Sequence, residues 1–111
     1  MSIYIDYGMR RTQQTLAVAA ALLDRPQDRH WGYPLTKASG IRAGVLYPIL
    51  SRMLAEGWLE DAWEDAALAA AEGRPPRRYY LLTLDGIVAL GGMLDSPVSS
   101  SRRALNTGGV Q

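Results

Sequence analysis

Apolar residues recur along much of this chain at helical spacing, and that spacing marks the helices. Between about Arg10 and Leu23, Leu16, Ala19, Ala20 and Leu23 return every three or four residues. This predicts a first helix, stopped by Asp24-Arg25-Pro26. The clearest stripe is Leu46, Ile49, Leu50, Met53 and Leu54, which fits i, i+3, i+4, i+7 and i+8 and predicts a helix from about Ala43 to Glu56. Its opposite face, Gly44, Tyr47, Ser51 and Ala55, is small or polar. Pro48 lies inside it, where it removes one backbone hydrogen bond and favours a bend. Gly57 closes it. A short helix from about Tyr33 to Ser39, with Pro34 in its first turn, precedes it, and Gly40 turns the chain between the two.

Trp58 to Trp63 and Arg78 to Thr83 read as strands. In the link between them the alanines suit a helical turn, and Gly73-Arg74-Pro75-Pro76 must turn or extend. Thr83 reads as the N-cap of a last helix from Leu84 to about Leu90, with Asp85 in its first turn and Gly91-Gly92 and Pro97 ending it. Met1 to Gly8 alternate loosely through Ile3, Ile5 and Tyr7, as an arm or edge strand would. From Ser96 the residues are those of a disordered tail. The expected organisation is an N-terminal arm over 1–9, one folded domain over 10–95 and a tail over 96–111.

Composition narrows the class. The chain has 111 residues, enough for one small domain, and 48% of them are hydrophobic, largely through alanine. No apolar run approaches a membrane span, and the start lacks the apolar stretch of a signal peptide, so a cytoplasmic protein with no membrane partner is expected. There is no cysteine, which excludes disulfides and thiolate metal sites. His30 stands alone, without the companions a metal site needs. Thr83 with Asp85 is a helix start rather than an acid–base pair. No Ser/His/Asp set, paired carboxylates or phosphate loop emerges, so neither an enzyme nor a cofactor is expected.

The net charge is +1, but charge is segregated. Arg25, Arg29, Lys37, Arg42 and Arg52 face only Asp28 over their stretch; Arg74, Arg77 and Arg78 form a second basic cluster. Between them lie Glu56, Glu60, Asp61, Glu64, Asp65 and Glu72 with no base among them. Charge alone fits an ordinary solvated surface as well as a basic face for DNA.

The order of elements decides more. A short helix, a tight turn and an amphipathic helix form a helix-turn-helix, and two strands joined by a basic loop supply a wing. The fold class expected is mainly α (α+β): a winged helix-turn-helix with a two-stranded wing and a short C-terminal helix. Ala43 and Gly44 keep the start of the second helix slim enough for a major groove about 12 Å wide. Arg42 is placed to reach a phosphate or a guanine edge, and Tyr47 and Ser51 can donate to phosphates. The wing arginines can neutralise phosphates or enter the minor groove.

Four segments together resemble the PadR family of bacterial regulators: Gly32-Tyr33, Leu46-Tyr47-Pro48, Glu56-Gly57-Trp58-Leu59, and Gly73-Arg74-Pro75 followed by Tyr79, Tyr80, Leu82 and Thr83, with Gly86 just beyond. The resemblance covers about Gly32 to Leu90. It implies a dimeric repressor on a palindromic operator, with double-stranded DNA as partner and room for a small-molecule inducer. Carried onto this sequence, Arg42, Gly44, Tyr47, Ser51 and Arg52 become recognition-helix contacts, and Arg74, Arg77 and Arg78 wing contacts. Tyr33 and Lys37 on the short helix complete the candidate set. The chain departs from the family at Arg42, where Ser or Thr usually caps the recognition helix, and at Val45, where Thr is frequent. The family dimerises through long C-terminal helices. Here Gly91-Gly92 come early, so the expected interface draws on Leu81, Ile87, Val88, Leu90, the first helix and Ile3 to Tyr7.

Competing readings remain at this level. Tyr47 is a phosphate contact or a packing residue. Trp58 and Trp63 line a ligand pocket or, as favoured here, pack in the core and along a strand. The acidic stretch from Glu56 to Glu72 supports a second function class, a winged-helix module for protein–protein contact.

Overall fold

The structure is a computed structural model that describes residues 12–95; the expected arm and tail lie outside the described residues. The order is α1 (Gln13–Asp24), β1 (His30–Trp31), α2 (Gly32–Ser39), α3 (Ala43–Ala55), β2 (Leu59–Trp63), α4 (Ala66–Ala71), β3 (Arg78–Leu82) and α5 (Leu84–Leu94). No described helix is long and apolar enough to cross a membrane.

Caps set several of these boundaries. Thr12 accepts from the Thr15 amide at the start of α1, and Asp65 accepts from the amides of Ala67 and Leu68 at the start of α4. Thr83 does two things: its hydroxyl accepts from the Gly86 amide at 2.9 Å and donates to the Gly57 carbonyl at 2.7 Å. One side chain therefore starts α5 and ties it to the end of α3. Gly40 and Gly57 end α2 and α3 with φ of 74° and 80°, a conformation that costs any other residue strain.

The amphipathic pattern of α3 is as expected. Leu46, Ile49, Leu50 and Met53 are buried, and they meet Val18, Ala19 and Leu22 of α1, Leu35 of α2, Leu59 of β2, Tyr80 of β3 and Leu90 of α5. Pro48 is accommodated in a continuous helix, exposed on the side away from the core. The residue four before it, whose carbonyl loses its amide partner, is the exposed Gly44. In α1 the buried stripe is Thr15, Val18, Ala19 and Leu22, with Ala20 exposed and Leu16 and Leu23 half-buried, which corrects the expected register. An almost uniformly apolar alanine–leucine run fits more than one stripe, and packing chooses among them.

Two further expectations are revised. The two-stranded wing stands as β2 and β3, but a third strand extends its sheet, in the order β1-β3-β2, all antiparallel. β1 is two residues, His30 against Tyr80 and Trp31 against Tyr79, too short to leave a period in the sequence. The last helix also does not stop at Gly91-Gly92 but runs to Leu94. Each glycine costs about 1 kcal/mol relative to alanine in a helix. Leu90 is fully buried, and Met93 and Leu94 pack on the core. Burial of such side chains contributes about 1.5–3 kcal/mol each when complete, so packing outweighs propensity. That burial also withdraws Leu90 from the expected dimer surface; Leu81 and Ile87 are half-buried, and the open apolar residues of α5 are Leu84 and Val88.

Candidate nucleic-acid interface

α2 and α3 are joined by three residues, Gly40 to Arg42. Ser39 braces the turn, donating to the Leu35 carbonyl at 2.6 Å and accepting from the Ile41 amide at 3.1 Å. Arg42 occupies the N-cap position of α3 with extended backbone, and its side chain makes no capping bond. A Ser or Thr there would point back at the helix amides; the longer guanidinium is instead exposed. Along the same outer face Gly44, Tyr47, Ser51 and Arg52 are exposed. No atom lies within 4 Å of where a Gly44 side chain would begin. On α2, Tyr33 is 70% exposed, and the Lys37 ammonium lies 5.4 Å from its ring centre.

Tyr47 answers to both readings the sequence left open. It is 44% exposed, yet its phenol lies so close to Gly32 that a Cβ there would meet the Tyr47 oxygen at 1.9 Å. The glycine that opens α2 is the shelf on which the α3 tyrosine rests. The Gly-Tyr pair was visible in the sequence; this purpose was not.

A concavity of about 300 Å³ opens where α2, α3 and the sheet meet. Tyr33, Tyr47, Arg77 and Arg78 line it, with Gly32 and Tyr80. The fold thus brings four of the ten candidate residues, from three elements, around one hollow. Two guanidinium groups and two phenols suit an anionic group such as a phosphate. Lys37, Arg42, Gly44, Ser51 and Arg52 lie outside it on the helical surface, and Arg74 is held apart within the wing.

The wing arginines are engaged by the acidic segment. Arg74 pairs with both carboxylate oxygens of Glu64, one at 3.0 Å, and with Glu72 at 3.1 Å. Glu64 also accepts from the Arg77 amide at 2.9 Å and lies 3.7 Å from its guanidinium. The Arg74 hydrogen bond, with help from Arg77, holds the Glu64 carboxyl down at about 2, and the same pair pushes the Arg74 guanidinium further up. Arg78 donates to Asp61 at 2.7 Å across the β2–β3 ladder and lies over the Tyr80 ring. On the other face of the sheet a stack runs from Arg29 over Tyr79 at 4.7 Å, to Trp31 with ring centres 5.0 Å apart, to Arg77 at 5.9 Å. Sequence reasoning missed this stack because three of its members meet only through β1.

Trp58 packs against the core as expected, whereas Trp63 stands 63% exposed at the end of β2. Among the described residues no group of His, Asp and Glu is arranged to hold a metal ion.

The family model described as the transcriptional regulator PadR-like family matches residues 21–91, well over half of the chain. The chain belongs to the PadR-like family of transcriptional regulators. Solved structures of similar fold include a PadR-like transcriptional regulator from Bacillus cereus, at 23% identity over 88% of this chain and 96% of that one, with a TM-score of 0.62. A PadR family regulator from Eggerthella lenta matches at 26% identity over 86% and 80%, with a TM-score of 0.58. One from Clostridium difficile matches at 16% over 89% and 94%, with a TM-score of 0.60. No curated protein matches the chain significantly. In this PadR-like regulator, then, the winged helix-turn-helix expected from the spacing of apolar residues is the observed fold, and the protein is a regulator rather than an enzyme.

Proposed function

We propose that this PadR-like protein binds double-stranded DNA sequence-specifically, as a homodimer on a palindromic operator, and represses transcription by occupying it. The observation that carries this reading is the two-sidedness of α3: one face is buried in the core, while Arg42, Gly44, Tyr47, Ser51 and Arg52 remain on its outer face. A helix inserted in a major groove needs such a face. Tyr33, Lys37, Arg77 and Arg78 would hold phosphates on either side, with Arg74 supporting the wing from behind. One recognition helix reads only a few base pairs, so two half-sites about one helical turn apart are needed for a unique address. Leu84 and Val88, 81% and 74% exposed and one turn apart on α5, are the apolar pair we assign to the dimer contact.

The test is a fluorescence-anisotropy titration with DNA from upstream of the protein's own gene, at several salt concentrations, with sedimentation of the same samples. A dimer that prefers one sequence over random DNA, with affinity falling as salt rises, is the expected result. Equal binding to all sequences would overturn the specific reading, and monomer alone at micromolar concentration would overturn the dimer. The pairing of the wing arginines with Glu64, Glu72 and Asp61 favours a second reading, a winged helix used for protein contact; no DNA binding at low salt would select it.

A further inference from the structure

A second hollow lies away from the α2–α3 surface. It is a cleft of about 460 Å³ between the end of α1, β1 and α2, within the roughly 300–1,000 Å³ typical of small-molecule sites. Ala21, Leu35 and Ala38 give it apolar walls, and Trp31 an aromatic one.

Its polar groups are not all satisfied. His30 is only 6% exposed, and its Nε2 lies 2.9 Å from the Arg25 carbonyl. A carbonyl can only accept, so Nε2 donates. Burial lowers the pKa of the ring, which keeps it neutral at ordinary pH and leaves Nδ1 as a hydrogen-bond acceptor. Among the described residues the His30 ring has no other hydrogen-bond partner. A buried acceptor without a donor is costly, and a donor from outside the chain relieves the cost.

Asp24, also on the cleft, is the last residue of α1, and among the described residues its side chain has no hydrogen-bond or ion-pair partner either. The two cations at the rim are engaged elsewhere, Arg25 with Asp28 at 3.8 Å and Arg29 over Tyr79. The open groups of the cleft, the Asp24 carboxylate and the His30 Nδ1, are therefore acceptors beside an aromatic wall.

We propose that this cleft binds a small organic cation, a primary amine joined to an aromatic ring, with the ammonium donating to Asp24 and His30 and the ring lying beside Trp31. The site needs no DNA, so it is tested without any. The full chain, labelled with nitrogen-15, is titrated with 2-phenylethylamine, and the His30 ring and Trp31 indole resonances are followed. Saturable shifts at both are expected, with none from phenylacetate, which carries the opposite charge on a similar body. Asp24→Asn, at an exposed position, should weaken binding about three- to tenfold. His30→Phe should abolish the saturable shift of Trp31 in protein that still melts cooperatively; should that variant fail to fold, the Asp24→Asn and phenylacetate arms decide alone. Absence of saturation up to about 10 mM, equal response to phenylacetate, or unchanged affinity in Asp24→Asn would each overturn the proposal. Failure of DNA recognition would leave these results untouched.

Discussion

Two basic residues of the helix-turn-helix, Lys37 and Arg42, and the three arginines of the wing, Arg74, Arg77 and Arg78, are treated in opposite ways. Among the described residues, Lys37 of α2 has the Tyr33 ring beside it, and neither Lys37 nor Arg42 at the start of α3 has an acidic partner. In the wing, Arg74 and Arg77 share Glu64, and Arg78 is paired with Asp61. The difference separates two uses of arginine. A guanidinium presented to solvent is available to a base or phosphate at once. One that closes a hairpin must leave its carboxylate first, or bind with a carboxylate close by that repels DNA. Electrostatic attraction to DNA should therefore be concentrated on the helices, and the wing should contribute less than its arginine count suggests.

The largest effect expected from breaking this arrangement is on stability. A Cβ on Gly86 would lie 2.0 Å from the Trp58 carbonyl oxygen and 2.8 Å from its carbon, and backbone cannot swing aside as a side chain can. Gly86→Ala should cost about 3 kcal/mol or more in urea denaturation, because it pries α5 from the junction of α3 and the wing. Gly32→Ala meets the mobile end of Tyr47 instead, so it should cost clearly less while displacing that phenol. A larger loss at Gly32 than at Gly86 would refute the distinction.

The next concerns recognition. Arg42→Ala should cost about 1–3 kcal/mol on the best DNA site and less on random sequence, measured by anisotropy. Equal losses would make Arg42 a phosphate contact. The wing comes third. Arg77→Ala with Arg78→Ala should weaken binding to all sequences alike and lower the salt slope by about one unit for each phosphate that is no longer neutralised. Glu64→Gln should do the reverse, raising affinity for random DNA and steepening the slope, because it frees Arg74 and Arg77. If Glu64→Gln leaves the slope unchanged, the wing lies off the DNA and the comparison collapses.

The smallest effect is a pH dependence. The folded Glu64 carboxyl titrates at about 2, below its ordinary 4.5. A depressed carboxylate pKa stabilises the fold above the unfolded value, and that contribution is lost as pH falls through the folded one. The melting-temperature gap between wild type and Glu64→Gln should be constant above about pH 5 and shrink between pH 4.5 and 2. A constant gap throughout would mean that the Arg74 contact contributes nothing to stability.

Much of the fold is legible in the sequence, and the reason is local. The period of Leu46, Ile49, Leu50 and Met53 and the caps at Thr83 and Gly57 are each written within a few residues. Candidate residues on one helix face, Gly44, Tyr47 and Ser51, follow from that period without any tertiary knowledge. Position in sequence also exposed the acidic segment beside the basic cluster, but not which side chains would pair.

What the chain determined by itself is therefore the order of the helices and of the two wing strands, the buried face of α3 and the family. Tertiary structure decided the rest. α1 settled into the Thr15–Val18–Ala19–Leu22 register, and α5 passed through Gly91-Gly92, because packing against other elements favoured those choices over local preference. β1 exists only because His30 and Trp31 find β3. The Gly32 shelf under Tyr47, the Glu64 bracket on the wing and the acceptors left open at His30 and Asp24 all join residues ten or more positions apart or depend on burial. Sequence periodicity reports which face of an element is apolar, because that is a property of neighbouring residues. It carries no record of which polar groups meet across the fold, because that depends on distances that only packing sets.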